Sequence, residues 1–169
     1  MHNPVAMLLT TLPARSSAWD VVDALVPAWA DLALVCLPVG GHLQIAAFAH
    51  IDPMQMPALR EFQRMHLPSF DDPASLIARV FRNGVSEVLR PEGIEQLEQQ
   101  ITNPAARVVI RALGPRTTLI VPITETDQPT AVVKGVLVTA MSASRPGADG
   151  TDLESLASLG RQLGSRLSL

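Results

Sequence analysis

An apolar run interrupted by a proline constrains the fold of this chain more than any other feature. Residues 117–125, TTLIVPITE, have strand character on both sides of Pro122, and a second run, AVVKGVLVTA, follows after the polar turn TDQPT. Proline has no N–H to donate, so a sheet tolerates it at a strand end, at a bulge, or where its nitrogen faces away from the ladder. Gly135, in the second run, either lets a backbone or ligand approach closely or relieves a crowded bend. The two runs predict consecutive strands of one sheet.

A hairpin is predicted earlier in the chain. Residues 31–39, DLALVCLPV, are nearly all apolar, as in a strand that is buried on both faces. Gly40 and Gly41 supply the tight turn, because both accept a positive φ. The following strand, HLQIAAFAH, has two faces. Leu43, Ile45, Ala47 and Ala49 are predicted on one face, and His42, Gln44, Ala46, Phe48 and His50 on the other.

Helical patterns surround these strands. Apolar residues recur every three or four positions from 17 to 29, which indicates a helix. Residues 53–73 carry four prolines and three methionines and are typical of an excursion that leaves the sheet. The run VSEVLR predicts a short strand. Further helices are predicted from Asp72 to Gly84, over EGIEQLEQQ, from Asn103 to Gly114, and from Thr151 onward. This order predicts an α+β fold, with one antiparallel sheet of five to six strands and helices on its faces.

Length and composition favour one well-cored domain. Of the 169 residues 47% are hydrophobic and 17% charged, and the net charge is −3. We assign residues 1–16 to an N-terminal extension and 17–169 to the domain. The basic residues are scattered and tyrosine is absent, so nucleic acid is not an expected partner. No run approaches the roughly 20 apolar residues that span a membrane, and the N-terminus lacks the positive region of a secretory signal. We expect a cytoplasmic protein.

The single cysteine, Cys36, lies within the first predicted strand. One cysteine can form neither an internal disulfide nor a cysteine-rich metal site. We expect a buried, inert thiol. A reactive thiol would instead suggest a small reductase, and thiol labelling of the folded protein distinguishes the two.

The chain resembles a GAF domain over residues 17–169. The matching phrases are DLALVCLPV, the hairpin ending in AHIDP, SLIARVFRNG, VVIRALGPRTTLIVPI, VVKGVLVTA and DLESLASLGRQLGSRL, in this order. The likeness is greatest to the GAF domains of bacterial sensor histidine kinases and phosphatases that also carry PAS domains. It implies terminal helices on one face of the sheet and a small-molecule pocket, covered by the excursion and the middle helices, on the other.

The resemblance also implies candidate ligand-binding residues. The excursion, residues 53–73, would be the lid. Several candidate residues also have an alternative role without a ligand. For Phe48 it is core packing, for His50 a solvated strand end, and for the arginines a solvated helix face. The candidates are Phe48, His50, Met65, Phe81, Arg111, Arg116 and Gly135.

Known GAF chemistries are tested on the residues present. Bilin attachment needs a cysteine in another region of the domain than Cys36. The methionine sulfoxide reductase class needs several cysteines, and this chain has one. The signature of the cyclic-nucleotide class is not found. Haem ligation by His50 or His66 is one alternative. We favour the other, in which these residues are surface histidines. We therefore expect no bilin, haem, metal site or catalytic residues, and the cofactor stays unknown.

The last helix predicts a homodimer seam. Apolar and glycine positions step by three and four, as in a narrow coiled-coil face. GAF domains in sensor proteins often dimerise through such helices, although the helix could equally pack on its own sheet. The candidates for the interface are Leu156, Gly160, Leu163 and Leu167. Because the chain stops at Leu169 without a breaker, we expect it to be one piece of a longer signalling protein.

These expectations combine into one function. The resemblance implies a sensory GAF domain that binds a small molecule, dimerises, or both, and so controls an attached kinase or phosphatase. The alternatives are a ligand-free structural dimerisation domain and, from another class, the thiol reductase.

Overall fold

The computed structural model describes residue 8 and residues 10–65, 69–100, 116–125, 131–145 and 152–167, together with residues 104, 107, 110, 111 and 114. In chain order the elements are α1 (Ala18–Leu25), β1 (Leu32–Val39), β2 (His42–His50), a 3-10 turn (Pro53–Gln55), α2 (Met56–Met65), α3 (Leu76–Asn83), β3 (Glu87–Leu89), α4 (Pro91–Gln100), β4 (Thr117–Thr124), β5 (Val133–Met141) and α5 (Leu153–Leu163).

The five described strands form one antiparallel sheet in the order β2-β1-β5-β4-β3. Helices α1 and α5 contribute to a buried apolar cluster on the first face of this sheet, with alternate residues of β1, β4 and β5. A second buried cluster on the opposite face includes residues of α2, α3 and α4. The predicted α+β architecture is confirmed.

The position of Pro122 explains why the sheet tolerates it. Strand β3 pairs only with residues 118–120 of β4, so this pairing ends two residues before the proline. On its other side, Pro122 lies opposite Val136 of β5. Beyond Ile120, β4 therefore has one strand neighbour among the described residues, and the missing N–H interrupts no ladder with β3.

Gly135 allows two strands to approach each other. A Cβ on this residue would lie 2.6 Å from the carbonyl oxygen of Cys36 and 2.7 Å from Cδ2 of Leu37, both on the neighbouring strand β1. A close backbone approach, one of the alternatives predicted from the sequence, is therefore present. Gly135 also lies next to the register shift between Ile123 and Thr124 of β4.

One predicted pattern is wrong in β2. The register of β1 and β2 shifts between Val35 and Cys36, because Cys36 pairs with Ile45 while Val35 pairs with Ala47. Ala46 is the extra residue of this bulge, and it reverses the alternation. Ile45 consequently lies in the second cluster, on the same face as Phe48, whereas the sequence predicted opposite faces.

Helix α3 begins later than predicted. Its N-cap is Ser75, whose side chain accepts a hydrogen bond from the N–H of Ala78. Asp72 instead accepts a hydrogen bond from the N–H of Ala74 in the preceding turn. Both residue types favour such caps, so the prediction named a suitable residue type at the wrong position.

The segment before α1 packs on the first face. Leu12 belongs to the first cluster, and Ser16 is fully buried. The N–H of Ser16 donates to the carbonyl of Arg166, and Ser16 forms a parallel bridge with Leu167. The described end of the N-terminal segment is thus joined to the residues that follow α5.

Helix α5 lies directly on the backbone of β4. A Cβ on Gly160 would collide with the carbonyl oxygen of Pro122, and a Cβ on Gly164, just after the helix, would collide with the carbonyl of Thr124. The leucines of the same helix face fill the first cluster, and Leu156 and Leu163 are fully buried. This packing requires glycine at both positions.

Replacing Gly160 with alanine tests this contact. We expect Gly160→Ala to lower the free energy of unfolding by about 1–3 kcal/mol, because backbone atoms must move to admit the methyl group. Urea denaturation followed by circular dichroism measures the change. The matched control is Ser158→Ala, at a half-buried position of the same helix, for which we expect less than about 0.5 kcal/mol. Equal stability of the two variants would contradict the packing described.

Candidate functional site

The second face of the sheet is the candidate site, because short helices on irregular segments cover it. Helix α2 contributes Leu59 and Phe62 to the second cluster, α3 contributes Val80, and α4 contributes Ile94. Helix α2 packs over β2, and α3 packs over β5 and β4. Strand β3 separates α3 from α4 along the chain.

Two contacts join the described part of the excursion to β2 and the turn before it. The side-chain amide of Gln63 in α2 donates to the carbonyl of Ile45 at 2.7 Å, which covers part of the outer edge of β2. Where the excursion returns, the N–H of Phe70 donates to the carbonyl of Gly41 at 3.1 Å, and Ser69 forms a bridge with His42. Met65 and His66, candidates from the sequence, lie outside the described residues, except for the backbone of Met65 at the end of α2.

Phe48 belongs to the second cluster and contacts α1. Its side chain is 1% exposed, and its strand position pairs with Leu34, another member of that cluster. Its ring centroid lies 5.4 Å from that of Trp19, at an interplanar angle of 59°. Because β2 is the outermost strand and Trp19 belongs to α1, this contact joins the two layers at the edge of the sheet.

His50 is a buried residue at the end of β2. It is 8% exposed and pairs with Leu32, which places it on the second face. Its Nδ1 accepts a hydrogen bond from the N–H of Asp52 at 2.9 Å. The solvated strand end that the sequence offered as an alternative is wrong.

Phe81 packs on the excursion. Its ring centroid lies 4.8 Å from that of Phe70, and it lies against the second cluster. Arg82 donates to the carbonyl of Phe70 and so ties the end of α3 to the same segment. At the edge of this layer, Nη2 of Arg79 donates to Oε2 of Glu87 at 2.7 Å.

The two candidate arginines lie in different surroundings. The side chain of Arg111 is 67% exposed, and its Nε donates to Glu98 at 2.9 Å. Arg116 instead lies near the buried carboxylate of Asp31, with Nε and Oδ2 separated by 3.4 Å. Both guanidinium groups already have carboxylate partners, so the structure does not bring them together as one anion site.

Asp31 was not singled out from the sequence, yet it joins distant segments. It is 4% exposed and directly precedes β1. Its Oδ2 accepts from the N–H of Ser142 at 2.7 Å, and its Oδ1 accepts from Nε of Arg145 at 2.9 Å. Burial by itself would raise the pKa of Asp31, but the hydrogen bonds from Ser142 and the positive charge of Arg145 outweigh it and hold the pKa below its ordinary value.

The interface candidates on α5 face the chain's own sheet. Leu156, Gly160 and Leu163 are buried in the first layer, and Leu167 packs against it. They stabilise this domain, which is the alternative that the sequence left open. A homodimer that uses α5 would need its outward residues.

Cys36 lies on the second face, and its thiol is buried and unreactive. It is 2% exposed among apolar residues, and burial raises the pKa of its thiol to about 12. At neutral pH the thiol is therefore protonated and a weak nucleophile.

The described residues contain no group of three or more His, Cys, Asp or Glu side chains that could hold a metal ion. No helix in the described ranges is long and apolar enough to cross a bilayer.

The Asp31 cluster makes stability depend on pH. Because the folded-state pKa is lowered, the carboxylate stabilises the fold fully above its unfolded pKa of about 3.9 and less as the pH falls through the folded pKa. We expect Asp31→Asn to lose about 2–3 kcal/mol of unfolding free energy at pH 7 and to approach wild type as the pH falls below 4. Urea denaturation at pH 7 and pH 3 measures this.

The control for that experiment is Asp23→Asn, at an exposed position of α1. It should differ little from wild type at either pH. A difference between wild type and Asp31→Asn that is equal at pH 7 and pH 3 would contradict a charged role for the Asp31 carboxylate.

Known structures resemble this fold. The Nlh2 GAF domain of A. aeolicus, in an inactive state, matches with a TM-score of 0.65 at 16% identity, covering 96% of this chain and 91% of that one. The GAF domain from the Acinetobacter phosphoenolpyruvate-protein phosphotransferase matches with 0.60 at 16%, covering 97% and 92%. Free methionine-R-sulfoxide reductase from Neisseria meningitidis, in complex with its substrate, matches with 0.58 at 14%, covering 96% and 83%.

No protein-family model matches the chain, and no curated protein matches it significantly. At identities this low the structural likeness shows the fold alone. That fold is the fold of GAF domains.

Proposed function

We propose that this chain is a sensory domain of a bacterial signal-transduction protein, located in the cytoplasm. It binds a small molecule on the second face of its sheet and controls an attached output domain. The observation that carries the proposal is the difference between the two faces. The first is closed by a helix that touches the backbone of β4, and the second is covered by three separate helices of eight to ten residues.

The structural neighbours support a signalling role. Two of them are GAF domains, one described in an inactive state and the other taken from a phosphotransferase. Both align over nearly all of this chain, which supports the proposal that the chain as a whole is a regulatory domain. A histidine kinase or phosphatase as the attached output domain rests on the sequence resemblance, and it belongs to the proposal.

The contact between Trp19 and Phe48 offers a route for the signal. Phe48 lies in the ligand-facing layer, whereas Trp19 lies on α1 in the other layer, and their rings are in contact. A ligand that displaces Phe48 would favour one position of α1 over another. In this mechanism the ligand shifts a two-state equilibrium by its different affinity for the two states.

The domain has no catalysis of its own in this proposal. One neighbour is a methionine sulfoxide reductase, but that chemistry needs several cysteines and this chain has one. The buried, protonated thiol of Cys36 supports a structural role. A thiol reductase is therefore not the function we propose.

The second candidate function is a ligand-free dimerisation domain. It is favoured by one observation, the continuous apolar packing in the second cluster, where Phe48, Leu59 and Phe62 are all buried. Side chains that fill this layer would leave the domain with a structural role. Its dimer would use surfaces other than the buried face of α5.

Native mass spectrometry of the freshly purified protein separates these functions. For a sensor, we expect a native mass above the denatured mass by the mass of one small molecule. A doubled mass without a bound molecule would support the dimerisation domain instead. A monomer without added mass that also binds no added small molecule would contradict both proposals.

A further inference from the structure

Thr118 presents a buried hydroxyl group on the second face. Its residue is 1% exposed, and its Oγ1 has no hydrogen-bond partner among the described residues. Thr118 pairs with Leu89 on one side and Ala140 on the other, and both belong to or pack against the second cluster. Because directly paired residues point to the same face, the Thr118 side chain points toward α2, α3 and α4.

Thr118 lies in a row that crosses the whole sheet. The row runs through paired positions from β3 to β2 and ends at the buried imidazole of His50. Between the two polar side chains are only apolar ones, and the neighbour of Thr118 in the row is the small residue Ala140. In order, the row is Leu89, Thr118, Ala140, Leu32 and His50.

A buried hydroxyl group without a partner is costly, and folded proteins rarely retain one without a reason. A ligand group can supply the missing hydrogen bond. The surroundings decide which ligand fits, since an ion placed among these apolar side chains would lose its hydration without gaining a counter-charge.

We propose that Thr118 is the hydrogen-bonding anchor of the second-face site. The site takes a small, uncharged, largely apolar molecule that carries one hydroxyl or carbonyl group. That group pairs with Oγ1 of Thr118, and the apolar part lies against Ala140 and the neighbouring leucines. This inference rests on the proposed sensory function and gives its ligand a chemical class.

Thr139 supplies a matched control within the same sheet. It is fully buried, and its Oγ1 also has no partner among the described residues. It pairs with Ala33 and Leu119, however, which belong to the first cluster. Helices α1 and α5 cover that face, so Thr139 lies outside the proposed ligand site.

The test compares phenol with toluene as probes, because the two differ in one hydroxyl group. Isothermal titration calorimetry measures their affinities for wild type, Thr118→Val, Thr139→Val and Thr118→Ser. We expect wild type to bind phenol about threefold to tenfold more tightly than toluene, the range of one net hydrogen bond. Thr118→Val should lose this preference, while Thr139→Val and Thr118→Ser should keep it.

Three results would overturn the Thr118 anchor. The first is the absence of a phenol preference in wild type, including the case in which neither probe binds. The second is a phenol preference that Thr118→Val keeps. The third is a melting temperature of Thr118→Val well below that of Thr139→Val, because it would show that the hydroxyl group is engaged within the protein.

The experiments distinguish a failure of the Thr118 anchor from a failure of the proposed sensory function. A small molecule detected by native mass spectrometry, with no phenol preference in calorimetry, would retain the sensor and remove only the anchor. A phenol preference that Thr118→Val abolishes supports the anchor whether or not a ligand survives purification.

Discussion

The contact between helix α5 and the backbone of β4 is the constraint on which the rest of the domain depends. Gly160 and Gly164 bring the helix so close that a methyl group at either position would collide with a carbonyl of the strand. Between these glycines, Leu163 reaches the first cluster and is fully buried. A helix held at this distance leaves no room for a ligand between α5 and β4. We therefore place the proposed ligand site on the opposite face.

The opposite face is covered by separate short helices. Helices α2, α3 and α4 are eight to ten residues long, and side-chain contacts such as Gln63 to Ile45 and Phe81 to Phe70 fasten them. Short helices depend on tertiary packing for their stability, so a ligand that adds contacts in this layer can change their positions. The rings of Phe48 and Trp19 would carry such a change around the edge strand to α1.

The sequence predicted the strands well because apolar runs and turn residues are local signals. It could not predict features that depend on distant partners. The bulge at Ala46 reverses which face Ile45 occupies, and only the pairing with β1 reveals it. Asp31 meets Arg145 across 114 positions of the chain, so no local pattern marks it. Thr118 looks like an ordinary strand threonine, and its missing partner becomes visible only when the second layer is in place.

Hydrogen exchange under native conditions tests the difference between the two layers most directly. We expect amides of β4, β5 and α5 to exchange only through global unfolding, and amides of α2, α3 and α4 to exchange faster through local opening. Mass spectrometry of peptic fragments resolves these segments. Exchange in α2 to α4 as slow as in α5 would contradict a separately responsive second layer, and faster exchange in α5 would contradict its role as the fixed face of the domain.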